Sequence, residues 1–146
     1  MSLAMSRAER EAFLAGIHVG VISVAEPGRG PLAVPIWYAY EPGGEILVVT
    51  DRDSRKGRLL AQARRFSLVA QTETTPYQYV SVEGPVVAIE PAGLERHLRP
   101  MARRYLGREL GDGYVAATAA DREHSVAVRM RPERWLTVDY RKQFGG

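Results

Sequence analysis

The sequence predicts a mainly β domain with flanking helices, folded as a six-stranded antiparallel barrel. Three observations carry this. Six β-rich runs are separated by short turns containing Gly and Pro, the pattern of a meander rather than of parallel βαβ units. Helices are inserted after the third and fifth runs, which suits a small barrel better than a sandwich. The chain of 146 residues, 45% hydrophobic and 25% charged, suffices for a single domain, residues 1–146, with its own core.

The elements follow in order. Ser6-Arg7-Ala8-Glu9 has the spacing of a capping box, with Ala8, Ala12 and Phe13 on one face, and predicts a short helix ending near Gly16. Strands are predicted at Val19 to Val24, at Leu32 to Tyr40 and at Glu45 to Thr50, divided by Glu26-Pro27-Gly28-Arg29-Gly30 and Glu41-Pro42-Gly43-Gly44. A helix from about Ser54 to Arg64 turns Leu59, Leu60 and Ala63 inward. Phe66 to Gln71 is the fourth strand, and Tyr77 to Ile89 a long fifth with a bulge or bend at Gly84-Pro85. Pro91 opens an amphipathic helix through Leu94, Leu98, Met101, Ala102, Tyr105 and Leu106, with a kink expected at Pro100. Gly107 to Asp121 reads as irregular or briefly helical. Ser125 to Met130 is the sixth strand, and Trp135 to Tyr140 a short extended segment.

Composition narrows the chemistry. With no cysteine there is no disulfide, thiolate zinc site or cysteine nucleophile, which fits a reducing, cytoplasmic setting. No signal pattern and no apolar run of membrane-spanning length is present. Met1 to Ala4, ahead of a second Met5, read as a cloning remnant. A net charge of +3 is too mild an excess to argue for nucleic acid. Lysine is confined to Lys56 and Lys142 in a chain that otherwise writes arginine, so Lys56 stands out.

It lies in Thr50-Asp51-Arg52-Asp53-Ser54-Arg55-Lys56, where a strand hands over to a helix. With Asp53 or Ser54 as cap, Arg55 and Lys56 fall in the exposed first turn, at the positive end of the helix dipole. Cations there are disfavoured by a few tenths of a kcal/mol, roughly. A phosphate reverses that sign, because free N–H groups, the dipole and both cations converge on it. Thr50 and Ser54 add hydroxyls. On the residues alone this reading stands level with a solvated loop in which Asp51 and Asp53 balance the cations.

Gly20-Val21-Ile22-Ser23-Val24, Pro35-Ile36-Trp37-Tyr38, the Thr50 to Lys56 loop and Tyr79-Val80-Ser81-Val82-Glu83-Gly84 occur in the order and approximate spacing of the pyridoxamine 5'-phosphate oxidase-like split-barrel family, which the chain resembles over Phe13 to Ile89. The resemblance implies a six-stranded split barrel, a homodimer with cofactor sites at the subunit interface, and phosphate held by Arg55 and Lys56 with Thr50 and Ser54 beside it. Pro35, Ile36 and Trp37 would line the ring site. Tyr79 stands where the true oxidases often carry glutamine. The arginine-x-histidine element of those oxidases is missing from the C-terminal segment after Ser125, so vitamin B6 oxidation is not expected. The implied activity is hydride transfer between coenzyme F420 or FMN and a small organic substrate, with arginine-rich surroundings favouring F420; the alternative is a non-catalytic flavin, haem or bilin carrier.

The remaining candidates rank lower. His18, His97 and His124 are scattered and read as structural or exposed rather than as metal ligands. No Gly-x-Ser-x-Gly anchors a hydrolase triad. Trp135 is a candidate cofactor cap. Arg103, Arg104 and Arg108 form either a solvated helix face or a landing area for the acidic tail of F420.

Overall fold

The structure, a computed structural model, describes residues 2–144. Eight strands alternate with helices: α1 (Arg7–Ala15), β1 (Gly20–Val24), β2 (Leu32–Ile36), β3 (Tyr38–Ala39), β4 (Ile46–Asp51), α2 (Arg55–Ala63), β5 (Arg65–Gln71) and β6 (Gln78–Pro91). A π-helical turn (Leu94–Leu98) leads into α3 (Arg99–Leu106) and α4 (Arg108–Thr118), then β7 (Ser125–Met130) and β8 (Arg134–Asp139). All pairings are antiparallel, in the order β2-β1-β5-β6-β7-β4-β3. Only Trp37 separates β2 from β3, so the path returns to the strand on which it began. The result is the mainly β, helix-flanked split barrel that the sequence predicts.

Two strands serve both halves. The chain through Trp37 pairs first with β1 and then with β4. The fourteen-residue β6 pairs with β5 and β8 along its first part and with β7 along its second, with a register shift between Val86 and Ala88. This is the bend expected beside Gly84-Pro85. Gly84 permits it: a Cβ there would meet the Arg131 carbonyl oxygen at 1.8 Å, where the β7–β8 connection crosses β6. Arg131 N–H donates to the Pro85 carbonyl at 3.0 Å and Glu133 N–H to the Glu83 carbonyl at 2.9 Å, so the crossing is stitched on both sides.

Strand alternation fills the barrel with Ile22, Val24, Tyr38, Ile46, Val48, Leu68, Val80, Val82, Val128 and Met130, all buried. Leu14 of α1 and Leu59 and Leu60 of α2 add to the same core. The Ser6–Glu9 capping box is present in both directions. Upstream of it, Met5 is buried and the Leu3 carbonyl accepts the Asp139 N–H at 2.8 Å. Three expectations change in detail. Trp135 to Tyr140 is mostly a true strand, β8, on β6. Of the two readings of the segment from Gly107, irregular or briefly helical, the helical one holds, as the eleven-residue α4. The break expected at Pro100 takes the form of a π turn that runs directly into α3, with Pro100 in the first turn of α3.

Gly84→Ala must push the Arg131 backbone aside, and overpacking on that scale costs about 1–3 kcal/mol or more. Urea denaturation is expected to show a lowered midpoint; an unchanged midpoint would mean that the crossing is not tight.

Candidate functional site

The opening of α2 is built by its own loop. Ser54 caps the helix, its Oγ accepting the Gly57 N–H at 3.0 Å and donating to the Asp51 carbonyl at 2.7 Å. The Asp51 carboxylate accepts the Asp53 N–H at 2.7 Å, which tightens the turn. Gly57 allows the closure, since a Cβ would lie 2.1 Å from the Asp51 carbonyl oxygen. Intrahelical bonding begins with Arg58 N–H to the Ser54 carbonyl. The amides of Arg55 and Lys56 therefore have no acceptor within the helix.

The charges around this opening are not equivalent. Arg55 is held by Glu26 at the end of β1, its Nε donating to the carboxylate at 3.1 Å and its Nη2 to the other oxygen. The pairing lowers the Glu26 pKa and raises that of Arg55. Lys56 is half-buried, and burial holds its pKa below the ordinary lysine value. Among the described residues no carboxylate lies within ion-pairing distance of it. Lys56 is thus not at the fully exposed helix start expected from the sequence. Thr50, buried at 6% exposure, points into the barrel end, with Oγ1 3.4 Å from Ser54 Oγ. The Ser54 proton is committed to Asp51, so this residue shapes the loop rather than donating to a ligand.

The second part of the site forms where β2 passes into β3. The pleat turns Ile36 into the core and leaves Pro35 exposed, so the side chains of Pro35, Ile36 and Trp37 do not share one face. Trp37 lies against the helical layer, stacked on Tyr105 at 4.9 Å and 5° and tilted against Tyr114 at 5.5 Å. Tyr105 OH donates to the His18 carbonyl at 2.6 Å and accepts the Tyr38 N–H at 3.0 Å. Arg104 donates to the carbonyls of Tyr38, Ala15 and Gly16 at 3.0, 3.1 and 2.8 Å. Arg103 pairs with Asp112. Neither arginine forms part of a solvated face or a landing area; of the three only Arg108 is exposed.

Between this layer and the outer face of β4 runs an apolar cleft of about 140 Å3. Trp37 and Val49 form its floor, and Leu94, Leu98, Met101 and Val115 its roof. Tyr114, Thr118 and Arg122 stand at its polar end. The cleft adjoins the α2 opening: Val49 precedes Thr50, and Arg52 N–H donates to the His124 carbonyl at 2.8 Å, two residues beyond Arg122. Sequence reading missed this cleft because it forms only where the helical layer packs on β4, with Val115 supplied by the segment read as irregular or briefly helical.

The other candidates lie elsewhere. Tyr79 sits on β6 between Gln71 and Val138. Trp135 packs edge-on to Tyr40 with Arg10 over its ring at 4.5 Å, and none of its aromatic or cation contacts reaches the loop or cleft. His18 stacks on Phe13, and its Nε2 lies 3.1 Å from the Phe13 carbonyl. His97 is buried, accepting the Gly93 N–H on Nδ1 at 2.9 Å, and burial lowers its pKa. His124 is exposed between Arg52 and Asp53. No cluster of metal-ligating side chains occurs among the described residues, and no helix among them is long and apolar enough to cross a membrane.

The family model for pyridoxamine 5'-phosphate oxidase matches residues 6–139. The chain belongs to this family. A conserved hypothetical protein of Mycobacterium tuberculosis, Rv2991, is similar in structure at a TM-score of 0.80 and 26% identity, over 99% of this chain and 91% of that one. An F420 reductase is similar at a TM-score of 0.63 and 18% identity, over 86% of this chain and 94% of that one. A FAD-binding protein of Mesorhizobium loti gives 0.63 and 18%, over 92% and 94%. The last two likenesses show the shared fold. No curated protein matches the sequence.

In this member of the pyridoxamine 5'-phosphate oxidase family the helices roofing the cleft are clamped by Asp112. Its carboxylate accepts from Arg103 at 2.7 and 2.9 Å and from Arg99 at 2.8 Å. These bonds hold its pKa at about 2, below the ordinary 3.8. A folded-state pKa below the unfolded one means that the clamp contributes fully above pH 3.8 and is lost as pH falls through about 2. A carboxyl NMR titration is expected to place Asp112 near 2 and to move it upward in Arg103→Gln. Titration near 3.8 in the unmodified chain would show the clamp open.

Proposed function

We propose that the chain is an oxidoreductase that holds FMN or coenzyme F420 with a phosphate at the opening of α2 and transfers hydride between that cofactor and a small organic substrate. The observation that carries this reading is Lys56: a half-buried ammonium with no carboxylate partner among the described residues, at the positive end of a helix. That placement is unfavourable for the fold alone. A phosphate offsets it, accepting from the Arg55 and Lys56 amides and the Lys56 ammonium together. Arg55 contributes charge from its place on Glu26.

The residues present fit such a group. Amides without helical acceptors face the loop, and Gly57 lets the backbone close behind them. When bound, the cofactor supplies the hydride chemistry; the protein binds its phosphate, orients its ring along the β2–β3 backbone and excludes water. F420 is favoured over FMN by the arginine-rich surroundings, Arg52 among them, which suit its additional acidic groups.

A homodimer completes the reading. Register aligns Pro35, Val21, Val69, Ser81 and Leu136 in one row across the outer face of five strands, with Val21 39% and Leu136 63% exposed. A row of this kind, apolar except for Ser81, suits a second copy of the chain. Val21→Arg is expected to shift the sedimentation velocity from dimer to monomer; a monomeric unmodified chain would remove the dimer.

Lys56→Met keeps the buried stem and deletes the charge. It is expected to weaken FMN or F420 binding by about 1–3 kcal/mol, the scale of a charge-assisted bond, while leaving thermal stability equal or higher. Unchanged affinity in separate titrations with FMN and F420 would remove the phosphate role. Tight binding without hydride transfer to any substrate would favour a carrier.

A further inference from the structure

The cleft beneath α3 and α4 has a chemical bias of its own. Its walls are apolar, from Trp37 and Val49 on one side to Leu98 and Met101 on the other. At about 140 Å3 it compares with cavities of about 150 Å3 that hold benzene in other proteins, so it admits one aromatic ring with its mouth open to longer groups. The polar end carries a single cation. Arg122 lies over the Tyr114 ring at 5.5 Å and donates through Nη2 to the Tyr114 hydroxyl. Among the described residues Arg122 has no carboxylate within ion-pairing distance. A guanidinium offers five N–H donors, and one contact to a phenol leaves most of them free.

We propose that this cleft is a binding site for aromatic organic anions, the ring lying between Trp37 and Met101 and a carboxylate-like group on Arg122. Tyr114, tilted against Trp37 and bonded to Arg122, fixes the distance between ring and charge. Calling the occupant the substrate rests on the oxidoreductase reading above, since the floor at Val49 leads directly into the Thr50–Lys56 loop. The binding itself does not rest on it.

The test uses the full chain labelled with [13C-methyl]methionine and without cofactor. Met101 roofs the cleft, whereas Met5 and Met130 belong to the barrel core and serve as references. Benzoate is expected to shift the Met101 methyl resonance saturably through the ring current, leaving Met5 and Met130 in place, while benzylamine produces no shift. Arg122→Gln is expected to weaken benzoate about tenfold, the scale of one charge-assisted hydrogen bond. Thr118→Phe, which fills the mouth, is expected to abolish the shift. No Met101 response to benzoate overturns the proposal, as does an equal response to benzylamine or in Arg122→Gln. A Met101 response in a chain that binds neither FMN nor F420 would remove the cofactor reading and leave the anion site standing.

Discussion

Closing a small barrel requires the chain to leave one sheet and join another, and here that transfer occurs at Trp37. The peptide groups at such a break lose their ladder partners and must be satisfied otherwise. Tyr105 accepts the Tyr38 N–H, and Arg104 donates to the Tyr38 carbonyl, so α3 supplies what the sheet cannot. The same arginine ties down the end of α1 through the carbonyls of Ala15 and Gly16. Barrel closure, the seating of the helical layer and the shape of the cleft are therefore one arrangement. Trp37 is thrown outward by the break, and the helices that satisfy the break also pack on it.

The electrostatics of the α2 opening show how a fold keeps a cation unneutralised. Two basic residues enter the first turn, but Glu26 from the β1 end takes Arg55, and among the described residues no acidic group takes Lys56. Asp51 and Asp53, which by sequence proximity look like its counterions, are turned away: Asp51 accepts the Asp53 N–H, and Asp53 faces Arg52 and His124. The solvated-loop reading thus fails for Lys56 on geometry. What remains is a partly desolvated charge with no carboxylate partner among the described residues.

Much of this architecture is legible in the sequence. The Ser6 box, the Ser54 cap and the bend at Gly84-Pro85 announce themselves because each depends on residues within a few positions. The pairing of Glu26 with Arg55 does not, since 29 positions separate them and only the β1–α2 packing brings them together. The full length of helix α4 is not legible for a different reason. Gly111 and Gly113 lower its intrinsic propensity, and its stability comes from tertiary contacts, the Asp112 clamp and buried Val115. The arginines of α3 misled in the same way: a periodic basic stripe looks solvated until its backbone carbonyl and carboxylate partners are in place.

The pleat of β4 links the two halves of the site. Ile46, Val48 and Thr50 face the barrel interior, while Leu47 and Val49 face out. Through this alternation a single strand gives the cleft an apolar floor at Val49 and the loop before α2 a buried hydroxyl at Thr50, one residue apart. Its neighbour β7 repeats the junction from the other side, where the segment after Arg122 meets Arg52 through the His124 carbonyl. An apolar ring placed on Val49 and an anion placed at Lys56 would consequently sit on β4 and on the first turn of the helix that follows it. The fold thereby sets the separation between them before any ligand arrives.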